Sequence, residues 1–206
     1  MAEHYVVIDD LALPARLSGH AALDFCNTWA GWDGRHTADY LESYDHLAVF
    51  AGFVGVIPDE RVTSLRRQAR RNKSAASSAL ERARRFRTSL YDVLRTGGSA
   101  PKWSLVAKEV DAAAAARRLH QSADGPRWEI DPGAGLDAAV LALAWSAGEL
   151  LTSPDLQSIR ACPGVGCGWL FLDPRGRRRW CTMSTCGNRE KARRFAARQR
   201  TKHSRR

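Results

Sequence analysis

Four cysteines stand in the sequence as Cys162-x4-Cys167-x13-Cys181-x4-Cys186. Two short pairs flanking a stretch long enough for a hairpin are metal-ligand spacing, and four thiolates suit a tetrahedral zinc ion with sulfur about 2.3 Å from the metal. Iron–sulfur ligation is the competing chemistry, disfavoured by the hairpin-and-helix context. Four unrelated buried thiols would make the matched pairs a coincidence. With every coordination position filled by protein there is no opening for water or substrate, so one structural Zn2+ per chain is expected. The fifth cysteine, Cys26, leaves an odd number for disulfides and is expected to pack as a small buried hydrophobe.

Between the pairs, residues 169–172 read as a strand, Asp173-Pro174-Arg175-Gly176 as a turn and residues 177–180 as the returning strand, which would bring Cys167 to Cys181. After Cys186 the chain is free of Pro and rich in strong helix formers. A module this small has little core of its own, and zinc binding worth roughly 10 to 16 kcal/mol can supply the missing folding free energy. Cys181→Ser is therefore expected to lose zinc and unfold this module while sparing the rest.

The second chemistry is charge. The 206 residues carry a net +10, but residues 160–206 hold 14 basic and 2 acidic side chains, a net of +12, which leaves −2 for everything before them. Arg175, Arg177, Arg178 and Arg179 sit at the expected hairpin tip. In helical geometry Arg189, Arg193 and Arg200 share one side, Lys191, Arg194 and Arg198 an adjacent one, and Ala192, Phe195 and Ala196 an apolar stripe for packing on the hairpin. Guanidinium forks match phosphate and guanine edges, so these residues, with Asn188 at the helix start, are the candidate nucleic-acid surface. Duplex DNA is the expected partner. RNA is the alternative, in which Trp169 or Trp180, if exposed, would stack on bases. A nuclease would need a histidine beside the metal-bound helix, and the histidine of this segment, His203, falls past the expected helix end. Arg66, Arg67, Arg70, Arg71 and Lys73 read as a solvated helix face.

A third group, His20, Asp24, Asn27 and Thr28, falls at i, i+4, i+7 and i+8, one polar stripe of a helix. Two readings compete: a pocket for a small-molecule effector, with Trp32 and His36 nearby, or a satisfied hydrogen-bond network tying the helix to its neighbours. A second metal site or an enzyme site at the stripe are weaker readings, and a deep pocket around it would separate them from a packed one.

The elements that must position these residues follow from periodicity. A strand is predicted at 5–8, then a helix over 19–29 capped by Ser18, a second from 43 to 55, a third starting at Pro58, and a fourth over 77–95 with Arg82, Arg84, Arg85 and Arg87 mostly outward. A helix over 103–121, a strand at 126–130 and a highly apolar helix over 136–151 complete the body, the last at the core. The expected fold class is α+β: a mainly helical domain with minor strands over residues 1–156, and a small four-cysteine finger over 157–206. The acidic start lacks the basic and long apolar regions of a signal peptide, and the apolar run at 138–147 is short of the ~20 residues needed to span a bilayer. A cytoplasmic, non-enzymatic protein without membrane association is expected.

Cys186-Gly187-Asn188-Arg189 is the motif of the CGNR zinc-finger proteins, which this chain resembles also over Cys167-Gly-Trp-Leu-Phe-Leu-Asp173, Arg178-Arg-Trp-Cys-Thr-Met183 and Lys191. His20-Ala-Ala-Leu-Asp-Phe-Cys-Asn-Thr28 resembles the signature of the ABATE domain that precedes this finger in the family. The resemblance implies a bacterial transcription regulator with a treble-clef-like finger on DNA and a ligand-sensing N-terminal domain.

Overall fold

The computed structural model describes residues 5–34, 37–122 and 125–203, with Ser122 and residues 201–203 described by their backbone alone. Strands β1 (Tyr5–Ile8) and β2 (Leu11–Pro14) pair antiparallel across Asp9 and Asp10. Helix α1 (Ala21–Cys26) is shorter than its apolar spacing predicts, and His20, not Ser18, caps it through a ring nitrogen that accepts from the Ala22 N–H. Trp29 lies instead in a two-residue strand, β3 (Trp29–Ala30), paired with β4 (Ala38–Asp39).

Helix α2 (Tyr44–Phe53) is capped by the Ser43 hydroxyl, and α3 (Asp59–Arg71) starts after Pro58 with two acidic residues in its first turn. Asn72 ends α3 and caps α4 (Lys73–Thr96), which Gly97 closes in the left-handed conformation. Helix α5 (Ala100–Ala115) stops six residues before its predicted end, because the chain turns into a hairpin of β5 (Arg117–Ser122) and β6 (Gly125–Ile130). Alanine-rich periodicity continues to Ala116, so nothing local to α5 marks that exit.

Helix α6 (Ala138–Leu151) is the centre of the core, packed by α1, α2, α4 and α5. The segment Pro132–Leu151 is long and apolar enough to cross a membrane by length and composition, but most of α6 is buried inside this protein. Apolar character all round a helix is what burial on every side requires.

Arg87 corrects the expected outward placement. It is 2% exposed on α4, donates to both Asp39 carboxylate oxygens and to the Thr28 hydroxyl, and lies over the Trp29 ring. Its spacing from Ala83 and Leu90 places it on the inward face, which was a sequence signal for a buried, paired cation.

The last strands are β7 (Ile159–Ala161) and β8 (Leu170–Leu172), paired antiparallel with Ile159 opposite Leu172. The hairpin thus encloses the first cysteine pair; residues 177–180, predicted as its return strand, form no ladder. Successive side chains of a strand face opposite ways. Leu170 and Leu172 accordingly pack on the helical body, while Trp169 and Phe171 pack on the cysteine cluster. Helix α7 (Asn188–His203) leaves from a π-turn at Met183–Gly187. The architecture is α+β, a helical body with small antiparallel ribbons and a four-cysteine finger.

Candidate metal centre and the surface it supports

The Cys162, Cys167, Cys181 and Cys186 sulfurs all lie within 4.8 Å of one another, and all four residues are buried. The Cys167 and Cys181 sulfurs are 3.7 Å apart and those of Cys181 and Cys186 3.5 Å. A tetrahedron with zinc–sulfur bonds of about 2.3 Å has edges of about 3.8 Å. A disulfide would need about 2.05 Å. The spacing therefore fits one zinc ion held by four ligands.

Local structure explains how distant cysteines converge. The Cys162 N–H bonds the Trp169 carbonyl and the Cys167 N–H the Gly164 carbonyl, closing a tight knuckle inside the β7–β8 hairpin. Thr182 caps the turn that carries Cys186 to the start of α7. A Cβ on Gly187 would lie 2.6 Å from the Met183 sulfur, so the turn closes only over glycine or a displaced methionine. Hydrogen bonds from the Cys167 and Cys181 thiols draw Cys162 down to about 7, while crowding by the other sulfurs raises Cys167 and Cys181. Four clustered thiols cannot all ionise without a cation among them, and a divalent ion removes that obstacle. Arg189 Nη2 also donates to the Cys186 sulfur at 3.2 Å, offsetting thiolate charge from outside the cluster.

The finger is docked on the body by a set of buried hydrogen bonds. Asn27, 1% exposed, donates to the Leu170 carbonyl and accepts from the Leu170 N–H, both at 2.9 Å, so it pairs with β8 as a neighbouring strand would. The Tyr91 hydroxyl donates to the Gly168 carbonyl, the Trp169 indole to the Trp29 carbonyl, and the Trp32 N–H to the Cys167 carbonyl. Gly168 has φ 69°, and a Cβ there would come within 2.7 Å of Trp32 and 2.9 Å of the Tyr91 hydroxyl. Only glycine combines that backbone with that approach.

This dock absorbs the polar stripe of α1. Asp24 is buried and accepts from the Leu17 and Ser18 N–H groups; burial raises its carboxyl pKa, and the bonds from Ser18 and Leu17 pull it back. Thr28 donates to the Phe25 carbonyl and accepts from Arg87. His20 is the α1 cap, and burial lowers its pKa, which keeps the accepting ring nitrogen unprotonated. Trp32, the aromatic expected beside a ligand, is stacked on Tyr91 at 3.7 Å, while His36 lies outside the described residues. Of the two competing readings of the stripe, an effector pocket or a satisfied network, its hydrogen bonds match the network. Its partners sit up to 143 residues away in sequence, which is why spacing alone could not separate the two readings.

Residues 19–154 match the ABATE family, described as a putative stress-induced transcription regulator, and residues 158–199 match the CGNR zinc finger. This chain belongs to the ABATE family and carries a CGNR finger. No curated protein matches the chain.

Within the CGNR finger, the cations expected on one nucleic-acid surface divide into two sets. Arg178 is a brace: it donates to the Leu17, Leu172 and Cys181 carbonyls and lies over the Phe171 ring. Arg178→Met should cost about 2 kcal/mol by leaving these carbonyls without a charged donor. Chemical denaturation would measure it. Arg189 likewise serves Cys186, and the Asn188 amide donates to the Ser184 carbonyl within the turn.

The other set is free to face a partner. Arg175, Arg177, Arg179, Lys191, Arg198 and Arg200 are exposed and have no acidic partner among the described residues, whereas Arg193 and Arg194 share Glu190. The apolar stripe predicted to seat α7 on a hairpin does not do so. Phe195 is 65% exposed, Ala192 is exposed, and α7 packs on the turn before it. Trp169 is buried by its bond to Trp29, which removes it as a stacking platform for bases.

Proposed function

We propose that this ABATE–CGNR protein is a non-enzymatic, cytoplasmic DNA-binding regulator without membrane association. Residues 157–206 grip the duplex and residues 1–156 hold the finger and tune it. The observation that carries the reading is the exposure of α7: a helix leaving a four-thiol metal site with its cationic faces uncovered. Arg175, Arg177 and Arg179 extend the same charge beyond Asp173, which fixes the turn by accepting from the Arg177 N–H.

In mechanism, Cys162 and Cys167 of the β7–β8 knuckle and Cys181 and Cys186 before α7 would hold one zinc ion between them, a cross-link that would fix the direction of the helix. Lys191, Arg198, Arg200 and, once Glu190 yields to phosphate, Arg193 and Arg194 meet the backbone. A metal with four protein ligands supplies geometry and no reaction. Self-repulsion within so cationic a segment is relieved by a polyanion, which favours nucleic acid over an unliganded state.

Neutralising about six phosphates predicts a slope of log K against log salt near −5 for the zinc-loaded protein on duplex DNA. Fluorescence anisotropy at several salt concentrations, with duplex RNA and single strands as comparators, checks it. Salt-independent binding, no binding, or stronger binding to RNA or single strands would each overturn the DNA reading.

A further inference from the structure

A cavity of about 330 Å³ opens between the β5–β6 hairpin, α6 and the loop after α2, and no residue of the finger lines it. That volume lies at the lower end for small-molecule sites. Two indoles form its walls, Trp128 from β6 and Trp145 from α6. Between them lies the Arg117 guanidinium, its central carbon 4.2 Å from the Trp128 ring centroid and 3.2 Å from that of Trp145.

This arginine has no hydrogen bond or ion pair from its side chain among the described residues, and its Nε is buried without a partner. Its neighbours behave differently: Arg118 pairs with Asp131, Arg127 with Glu129, and Arg82 with Glu109 and Asp137. With both faces covered by rings, Arg117 can bond only along its edge, the geometry that takes a carboxylate with two parallel N–H bonds. A half-buried cation without an anion beside a cavity is an incomplete pair.

The α6 wall carries Ser146 and Glu149, one turn apart and beside Trp145; Glu149 has no ion pair among the described residues, though its charge reaches His20. Arg117 and Glu149 both line the cavity, and no ion pair joins them. A bare anion would meet the Glu149 carboxylate, and a bare amine would meet the Arg117 guanidinium. A molecule bearing both charges satisfies both walls, and an apolar remainder suits the indoles.

The geometry points to a binding site for a small zwitterion, an α-amino acid with an apolar side chain, its carboxylate on the Arg117 edge and its ammonium on Glu149. The inference stands apart from the nucleic-acid reading, since none of its residues belongs to the finger.

Calorimetry on the full zinc-loaded chain tests it with L-leucine and L-phenylalanine, and with acetate, methylammonium and inorganic phosphate as single-charge controls. One or both amino acids should bind saturably, and every control should bind at least about tenfold more weakly. Glu149→Gln, a change at an exposed position, and Arg117→Lys, which keeps charge but loses the edge, should each weaken binding by about tenfold. Unchanged melting of Glu149→Gln separates loss of the site from loss of the fold. No saturable binding of either amino acid, controls that bind equally well, or an indifferent Glu149→Gln would overturn the assignment.

Discussion

Cys181→Ser is expected to abolish stoichiometric zinc binding and to destabilise the helical body as well as the finger. The Cys181 sulfur is 3.7 Å from that of Cys167 and 3.5 Å from that of Cys186, as one corner of the ligand set, and a serine hydroxyl is a poor substitute for a thiolate ligand. Loss of the ion removes most of the roughly 10 to 16 kcal/mol that such sites contribute to folding. Sequence reasoning expected the damage to stop at the module boundary. The packing of β8 and the residue before it argues for a wider effect, because Trp169 and Phe171 pack on the cysteine cluster while Leu170 packs on the body. If β8 loosens, the body loses the Leu170 burial, and Asn27 loses both of its partners. These terms amount to about 3 kcal/mol. For a chain of this size that shifts the midpoint of the body by about 10 °C. Metal analysis with thermal unfolding, and hydrogen exchange over α1 and α4, gives the readout. A body that melts unchanged while zinc is lost would show that the two parts are thermodynamically separate.

Asn27→Ala is expected to cost about 2 to 5 kcal/mol while leaving zinc bound. The substitution strands a buried N–H and a buried C=O of Leu170, each costing about 1 to 3 kcal/mol without a partner. Asn27→Asp should do no better, since it keeps an acceptor for the Leu170 N–H but sets a carboxylate oxygen against the Leu170 carbonyl. An effector-pocket residue would behave differently: its loss would alter ligand affinity and leave stability near the original. Urea denaturation with metal analysis decides between them, and a cost below about 0.5 kcal/mol for Asn27→Ala would place it outside the dock.

The pairing of Asn27 with Leu170 also shows where sequence reasoning stops. Asp, Asn and Thr at helical spacing marked α1 as unusual, since such residues are poor helix formers without a local or tertiary bond to make. The bond itself depends on a strand 143 residues away. Arg87 carried a readable signal, a cation on the apolar face of α4, but its carboxylate partner Asp39 lies in a two-residue strand that periodicity does not reveal. The end of α5 was hidden for a similar reason. Alanine and arginine at 112–118 favour a helix locally, and the ribbon that replaces it is held by its ladder to β6 and by Arg117 between two indoles. Phe195 misled in the opposite direction, because an apolar residue on a helix implies burial only where another element arrives to cover it.

The sequence by itself determined the metal centre, the class of ion, the basic helix after it and the concentration of charge in the last quarter of the chain. These follow from ligand chemistry and short spacings, which survive any arrangement of the remainder. Tertiary structure alone decided which arginines brace the finger and which face solvent, that the α1 stripe is a dock, and that the knuckle hairpin closes backward onto β7. Those outcomes depend on which buried donor meets which buried acceptor, and long-range pairing of that kind leaves no periodic trace in the chain.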